Sequence, residues 1–135
     1  MNFNKYIGIP YKSGGRDICG ADCYGLCKII YKDLKGIDLP DYTDLMYNKE
    51  TWKEDNHILS NINNFKKDSG FFTVDSPYSV FDCLIFADGL FADHIGILID
   101  DNKFIHTHEK HSSMIGKLDI WKRKLFVVLR YKGVV

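Results

Sequence analysis

Apolar side chains recur at intervals of three and four residues along the first third of the chain. This spacing is typical of an amphipathic helix with one face against a core. The stripe consists of Leu26, Ile29, Ile30, Leu34 and Ile37. Asp22 is a suitable N-cap before the stripe, and Gly36 and Pro40 are suitable terminators after it. The pattern predicts a helix that begins after Asp22 and places Cys23 in its first turn.

Residues 41–68 are polar and rich in asparagine, lysine and aspartate, with separated apolar anchors such as Trp52 and Phe65. We interpret this segment as one or two surface helices. Its role is not indicated by any motif within it.

Short runs rich in β-branched and aromatic residues follow Gly70, and turn signals separate them. The predicted strands are Phe71–Val74, Val80–Phe86, His94–Ile99, Lys103–His108 and Leu125–Tyr131. Helices that precede strands, without room for βαβ crossovers, predict an α+β fold with N-terminal helices packed on an antiparallel sheet. A length of 135 residues favours a single domain over residues 1–135.

Charge and hydropathy narrow the range of partners. Basic and acidic side chains number 18 each, so there is no electrostatic case for nucleic acid or an anionic membrane surface. The first residues do not form a signal peptide pattern, and no apolar run reaches the roughly 18 residues of a membrane span. We therefore expect synthesis in the cytoplasm, no membrane insertion, and four free cysteine thiols.

Cys23 is the first candidate for chemistry. A helix start favours the thiolate, which is the nucleophilic form of cysteine, and its backbone N–H groups can stabilise an oxyanion. The alternative is that Cys23 is a small buried apolar residue in an ordinary helix. A general base elsewhere in the chain decides between the two interpretations.

His94 and His106 lie on two predicted strands joined by a short turn, so one could act as base and the other could orient it. Side chains alternate faces along a strand, which constrains the turn. A loop with an odd number of residues centred on Asp101, or a bulge, places His106 opposite Gly96 and diagonal to His94. The same register places His108 directly across from His94, and His108 therefore competes for the third role.

Metal binding is the other use of such residues. Cys19, Cys23 and Cys27, together with the histidines after residue 105, could be interpreted as a zinc site. The two-residue spacing usual between cysteine ligands is absent. We therefore predict neither a metal nor another cofactor.

The ordered motifs resemble the NlpC-type cell-wall cysteine peptidases, a compact papain-like family. The resemblance begins with Ile9-Pro10-Tyr11, Gly14-Gly15-Arg16-Asp17 and Gly20-Ala21-Asp22-Cys23-Tyr24-Gly25-Leu26. It continues through Gly36-Ile37-Asp38-Leu39-Pro40, Phe81-Asp82-Cys83-Leu84-Ile85, His94-Ile95-Gly96-Ile97 and Phe104-Ile105-His106. Residues 43–68 look longer than the matching part of many members.

The resemblance implies that Cys23 is the nucleophile, His94 the general base and His106 the residue that orients it. It also implies that Tyr11 lines the cleft near the oxyanion, and we assign Asp22 and Tyr24 to the same oxyanion and cleft region. Tyr24 stands where cell-wall hydrolases of the family commonly have serine. Phe81 likewise replaces the glycine that precedes the aspartate of the family's strand motif.

The implied activity is cleavage of an amide bond in peptidoglycan stem peptides, of the γ-D-glutamyl–diamino acid type. The aromatic Tyr24 and the Gly15-Arg16-Asp17 run look like the phage and prophage tail-associated branch. We therefore expect a protein made in the bacterial cytoplasm and carried to the wall on a virion, with tail proteins as partners. The alternatives are a tail-assembly protein with a weakly active or inactive peptidase fold, and a thiol amidase or acyltransferase, such as a delivered effector.

Overall fold

Helix α1 spans Cys23–Lys35 and has the two ends that the sequence predicts. Asp22 is its N-cap, with extended backbone and a side chain that accepts a hydrogen bond from the Gly25 N–H at 2.7 Å. Gly36 ends the helix with a φ of 67°, in the left-handed region where a Cβ is disfavoured. The local capping rules therefore fix the position of Cys23 as the first helical residue.

The computed structural model describes residues 2–39, 70–88, 91–108 and 111–132. Within these ranges the strands of the large sheet are β3 Phe71–Val74, β4 Cys83–Asp88, β5 Phe91–Leu98, β6 Lys103–His108, β7 His111–Lys117 and β8 Leu125–Tyr131. Their order across the sheet is β3-β8-β4-β5-β6-β7, and all neighbouring strands are antiparallel. The smaller elements are β1 Arg16–Asp17, β2 Gly20–Ala21, the short helix α2 Leu118–Trp121, and 3₁₀ turns at Asn4–Tyr6 and Lys122–Lys124. The fold is α+β, as predicted.

Three of the five predicted strands have the predicted bounds, and two differ by a few residues. The sequence pattern predicts Val80–Phe86 and His94–Ile99, whereas β4 is Cys83–Asp88 and β5 is Phe91–Leu98. Strand β7 was not predicted, because its polar His111-Ser112-Ser113 start does not resemble a buried strand and it lies at the edge of the sheet. The helices predicted within residues 41–68 lie outside the described residues.

The β5–β6 hairpin has the register that the odd loop requires. Ile97 faces Ile105 and Leu98 faces Phe104, which centres the loop on Asp101. Loop residue Asp100 accepts hydrogen bonds from the N–H groups of Asn102 and Lys103. These bonds hold the pKa of the Asp100 carboxyl below its ordinary value. The prediction of an odd loop is confirmed.

The described core consists of two clusters on opposite faces of the sheet. Helix α1 packs against β5 and β6, and its apolar stripe joins a cluster that includes Ile85, Ile95, Ile97, Ile105 and Leu129. The intervening strand residues face the other way. With Leu118 of α2 they form the second cluster of Leu84, Phe86, Leu98, Phe104, Leu118 and Val128. None of the helices in the described ranges has the length and apolar character needed to cross a membrane.

Candidate active site

Cys23 lies at the N-terminal end of α1, where the backbone N–H groups point out of the helix. Its side chain is buried, with 7% exposure, and it belongs to the same core cluster as Ile95, the neighbour of His94. Burial alone does not separate a nucleophile from a structural cysteine. The residues around the helix start and around the two histidines distinguish a nucleophilic cysteine from a structural one.

The Asp22 carboxylate ties the glycine-rich loop to the start of α1. It accepts hydrogen bonds from the N–H groups of Gly14 and Gly25 and from an Arg16 guanidinium nitrogen, at 2.8, 2.7 and 2.8 Å. The same Arg16 nitrogen also donates to the Gly15 carbonyl. The charge of Arg16 thereby compensates the buried negative charge of Asp22, immediately before Cys23.

The assignment of Asp22 and Tyr24 to the oxyanion and cleft region stays a prediction, and the structure shows how the two side chains are buried. Both are completely buried. Asp22 is occupied with capping and with Arg16, and the Arg16 guanidinium lies 5.4 Å from the centroid of the Tyr24 ring. Tyr24 therefore acts from inside the protein, by packing against the arginine that neutralises Asp22.

Tyr11 is half-buried in the loop that runs beside the helix start. It forms an isolated parallel bridge with Ala21, and the next residue, Lys12, donates its backbone N–H to the Ala21 carbonyl. Ala21 precedes Asp22 and Cys23 in the chain. The backbone of Tyr11 is thus anchored beside Ala21, two residues before Cys23, and its role at the oxyanion stays a prediction.

His94 and His106 meet across the hairpin. His94 Nε2 and His106 Nδ1 are 2.8 Å apart, a hydrogen-bond distance, and His106 is only 2% exposed. One of these nitrogens carries the proton and the other accepts it. If His94 Nε2 is the donor, His94 Nδ1 is the basic nitrogen that remains for a thiol proton, and His106 is a neutral acceptor.

Aromatic rings surround the histidine pair. Phe86 lies 5.8 Å from the His94 ring and Phe104 lies 4.7 Å from the His106 ring, between centroids. Trp121 of α2 contacts both histidine rings. Sequence reasoning missed Trp121, since the four-residue helix α2 shows no periodic pattern that would place it near residues 94 and 106.

His108 ends β6, and its backbone faces His111 of β7. The ladder between β5 and β6 consists of the pairs at Ile97 and Leu98, so it does not extend to a pair between His94 and His108. The side chain of His108 lies outside the described part of the structure. Its predicted competition for the third role stays a prediction.

The cysteines of the zinc alternative have different surroundings. Cys19 is exposed, whereas Cys27 is buried with its sulfur 3.5 Å from that of Cys83. All four cysteines are free thiols. Among the described residues, no group of three or more histidine, cysteine, aspartate or glutamate side chains is arranged to hold a metal ion.

A helix with a cysteine at its N-terminus, packed on an antiparallel sheet whose strands carry a hydrogen-bonded histidine pair, defines a papain-like fold. The model of the NlpC/P60 family matches residues 8–130, and the chain therefore belongs to this family. This finding agrees with the resemblance of the sequence motifs.

Individual relatives place the chain within that fold. It is 25% identical over 123 residues to a probable endopeptidase NlpC homologue of Haemophilus influenzae, covering 90% of this chain and 55% of the relative. The NlpC/p60 domain of the peptidoglycan hydrolase SagA matches with a TM-score of 0.62 and 21% identity, over 94% of this chain and 91% of that domain. An NlpC/P60 family protein of Bacillus cereus matches with a TM-score of 0.66 and 23% identity, over 95% of this chain and 37% of its own. The chain thus spans about half of the curated relative.

Proposed function

We propose that this protein is a cysteine endopeptidase that hydrolyses an amide bond in peptidoglycan stem peptides. The observation that carries the proposal is the 2.8 Å contact between His94 and His106 on strands packed against the helix that begins with Cys23. Two relatives support it, because one is a probable endopeptidase and the other is a domain of a peptidoglycan hydrolase.

In the proposed mechanism His94 Nδ1 accepts the proton of the Cys23 thiol. Cys23 shares a core cluster with Ile95, the neighbour of His94 on β5, which supports this transfer. The thiolate attacks the carbonyl carbon of the scissile amide, and His94 then gives its proton to the departing amine. Water hydrolyses the resulting thioester and regenerates the thiol.

His106 orients the base in this mechanism. Its Nδ1 accepts the His94 Nε2–H throughout the cycle, which fixes the ring plane and the tautomer that leaves Nδ1 basic. The oxyanion of the tetrahedral intermediate is stabilised by the Cys23 backbone N–H and by Tyr11, the loop residue anchored beside Ala21.

The proposed bond lies between γ-D-glutamyl and a diamino acid, as the family resemblance implies. We further propose that the protein is a component of a phage or prophage tail. The support for this setting is the buried Arg16–Tyr24 contact, because it uses the arginine and the aromatic residue that resemble the tail-associated branch. Mass spectrometry of purified virions or induced tail particles tests it, since absence of the protein from both contradicts a tail component.

Digestion of defined muropeptides tests the activity. We expect the wild type to release fragments with new N-terminal diamino acid residues, and Cys23→Ala and His94→Ala to release none above background. Cys19→Ala is the matched control, because it removes an exposed thiol in the loop before α1 and should leave the products unchanged.

The products also separate the alternatives. Cleavage by Cys23→Ala at the wild-type rate would disprove the catalytic assignment. Release of ammonia, or transfer of an acyl group to an added amine without net hydrolysis, indicates an amidase or acyltransferase. No turnover of any muropeptide, combined with assembly into particles, indicates a structural tail protein.

A further inference from the structure

Trp121 lies against both members of the histidine pair. Its ring is stacked on that of His94, with centroids 5.7 Å apart and an interplanar angle of 28°. The same ring meets His106 edge-on, with centroids 5.0 Å apart and an angle of 74°. Phe86 and Phe104 also contact the indole, at 5.4 and 5.8 Å between centroids. One side chain from α2 therefore contacts both rings that form the central hydrogen bond.

We propose that Trp121 is a positioning residue that covers the His94–His106 hydrogen bond and stabilises the protonated His94 ring. This inference rests on the proposed function, since it concerns the same base. It adds a residue that lies outside the three predicted catalytic positions and comes from a different part of the chain.

The first effect of Trp121 is exclusion of water. A hydrogen bond between two imidazoles weakens when water competes for either nitrogen, and it strengthens in surroundings of low dielectric constant. The indole lies on one ring and at the edge of the other, so it shields the contact between them. The stacked geometry also limits rotation of the His94 ring about its side-chain bonds.

The second effect is electrostatic. When His94 accepts the thiol proton it becomes a cation against the face of the indole, which attracts positive charge. Among the described residues, the indole also contacts the charged Lys124, whose Nζ lies 5.8 Å from the ring centroid, and His106, which the proposed mechanism keeps neutral. The stack therefore favours the thiolate–imidazolium pair over the neutral thiol and imidazole.

The loop of the histidine hairpin itself fixes the position of Trp121. Asn102, in the β5–β6 loop, accepts the Leu118 N–H with its backbone carbonyl at 2.6 Å and the Asp119 N–H with its side chain at 3.0 Å. Leu118 is buried in the second core cluster. Helix α2, which carries Trp121, is thus attached to the loop that joins the strands of His94 and His106.

The variants Trp121→Leu and Trp121→Phe test the inference, with Ile120→Ala as a control on the same helix, since Ile120 is 72% exposed. The rate of Cys23 alkylation by iodoacetamide is measured against pH, with the labelled site identified by peptide mapping. We expect Trp121→Leu to slow alkylation near neutral pH about tenfold and to move the profile to higher pH, in line with a lost cation–π contact. Trp121→Phe should restore most of the rate, and Ile120→Ala should match the wild type.

A second measurement guards against simple loss of structure. Nitrogen-15 NMR of the histidine rings should show, in the wild type, a ring N–H protected from exchange with water, and faster exchange of that proton in Trp121→Leu. If Trp121→Leu is unfolded by circular dichroism, Trp121→Phe carries the test, with a smaller shift in the same direction. For steady-state cleavage, we expect kcat to fall and KM to change little, as befits a residue that acts through His94.

The outcomes distinguish this inference from the proposed function. If Cys23 of the wild type is alkylated no faster than the exposed Cys19, the proposed nucleophile fails whatever Trp121 does. If Cys23 is activated but its pH profile and the exchange of the ring proton are the same in folded Trp121 variants, Trp121 is a packing residue only and the inference is overturned.

Discussion

His94 and His106 are joined by a side-chain hydrogen bond of 2.8 Å at the point where their strands are no longer joined by the sheet ladder. The last ladder pair is Ile97 with Ile105, one residue before Gly96 and His106 would have faced each other. Beyond this pair, the two strands are joined by the hydrogen bond between the imidazole rings. This hydrogen bond orients the His94 ring through His106, and Trp121 stacks on the same ring.

Replacement of His106 should lower turnover more than substrate binding. We expect kcat to fall on the order of 100-fold in His106→Ala, because the His94 ring loses the acceptor that fixes its tautomer. His106→Asn keeps an acceptor oxygen and should lose about tenfold. Initial rates on a stem-peptide substrate measure both values. Equal kcat values for His106→Ala and the wild type would contradict an orienting role.

Sequence rules could predict the parts of this site that depend on local geometry. The N-cap at Asp22 and the terminator at Gly36 fix Cys23 as the first residue of α1, because capping is decided within a few residues. The histidine pair followed from the alternation of side chains and an odd loop around Asp101. Both inferences needed no knowledge of distant contacts.

The parts that could not be predicted depend on tertiary packing. Tyr24 follows the nucleophile, and nothing local indicates that its ring is buried against Arg16 rather than exposed in a cleft. Trp121 reaches the histidines only because α2 is attached to Asn102, 19 positions before it in the chain. Strand β7 has a polar start and an exposed edge, so its pairing with β6 leaves no apolar pattern.

Phe81 adopts a backbone conformation that favours glycine, with a φ of 77°. Its carbonyl accepts a hydrogen bond from the Tyr31 hydroxyl, and its ring packs against Phe3 and Tyr31, which holds it there. Removing a buried phenylalanine side chain costs about 3–5 kcal/mol, whereas a left-handed conformation costs a residue with a Cβ about 1–2 kcal/mol. We expect both Phe81→Ala and Phe81→Gly to destabilise the protein, with Phe81→Gly about 1 kcal/mol the more stable of the two.

Urea unfolding measures this difference, and Phe71 supplies the control. Phe71 is also buried but lies in strand β3 without a positive φ. At this position we expect Phe71→Gly to be about 0.5–1 kcal/mol less stable than Phe71→Ala, which is the usual order of stability for glycine and alanine in a strand. If glycine were also the worse residue at position 81, the strain argument would be wrong.

Arg16 should matter for stability far more than an exposed lysine in an ion pair. Arg16→Met leaves the completely buried Asp22 carboxylate without its cation, and loss of one partner of a buried pair costs about 3–5 kcal/mol. Lys5→Met removes an exposed partner of Asp33, at 3.6 Å, and should change the free energy of unfolding much less, because solvent screens an exposed ion pair. Chemical unfolding of both variants at the same ionic strength checks the contrast. Similar losses of unfolding free energy would show that the Arg16–Asp22 pair stabilises the protein no more than an exposed ion pair does.

Cys27 should make the protein less stable in alkali. Burial, and then the hydrogen bond with Cys83, raise the pKa of the Cys27 thiol well above its ordinary value of 9.0. Above that value the unfolded chain loses the proton that the folded chain keeps, so the free energy of unfolding falls as pH rises, by at most about 1.4 kcal/mol per pH unit for this group. The contribution is fully present below the ordinary pKa and is lost as the pH rises towards the folded one.

Unfolding measurements between about pH 8 and about pH 10 test the effect of Cys27, because this interval spans the ordinary range of thiol titration. Burial also raises the pKa of Tyr31 above its ordinary value of 10.0, which adds to the decline at the upper end of the interval. We expect Cys27→Ala to be less stable than the wild type at pH 8 but to lose less stability on the way to pH 10. Cys19→Ala is the matched control, because it removes an exposed thiol instead of a buried one. An identical slope in Cys27→Ala and the wild type would show that the buried thiol does not control the alkaline limit of stability.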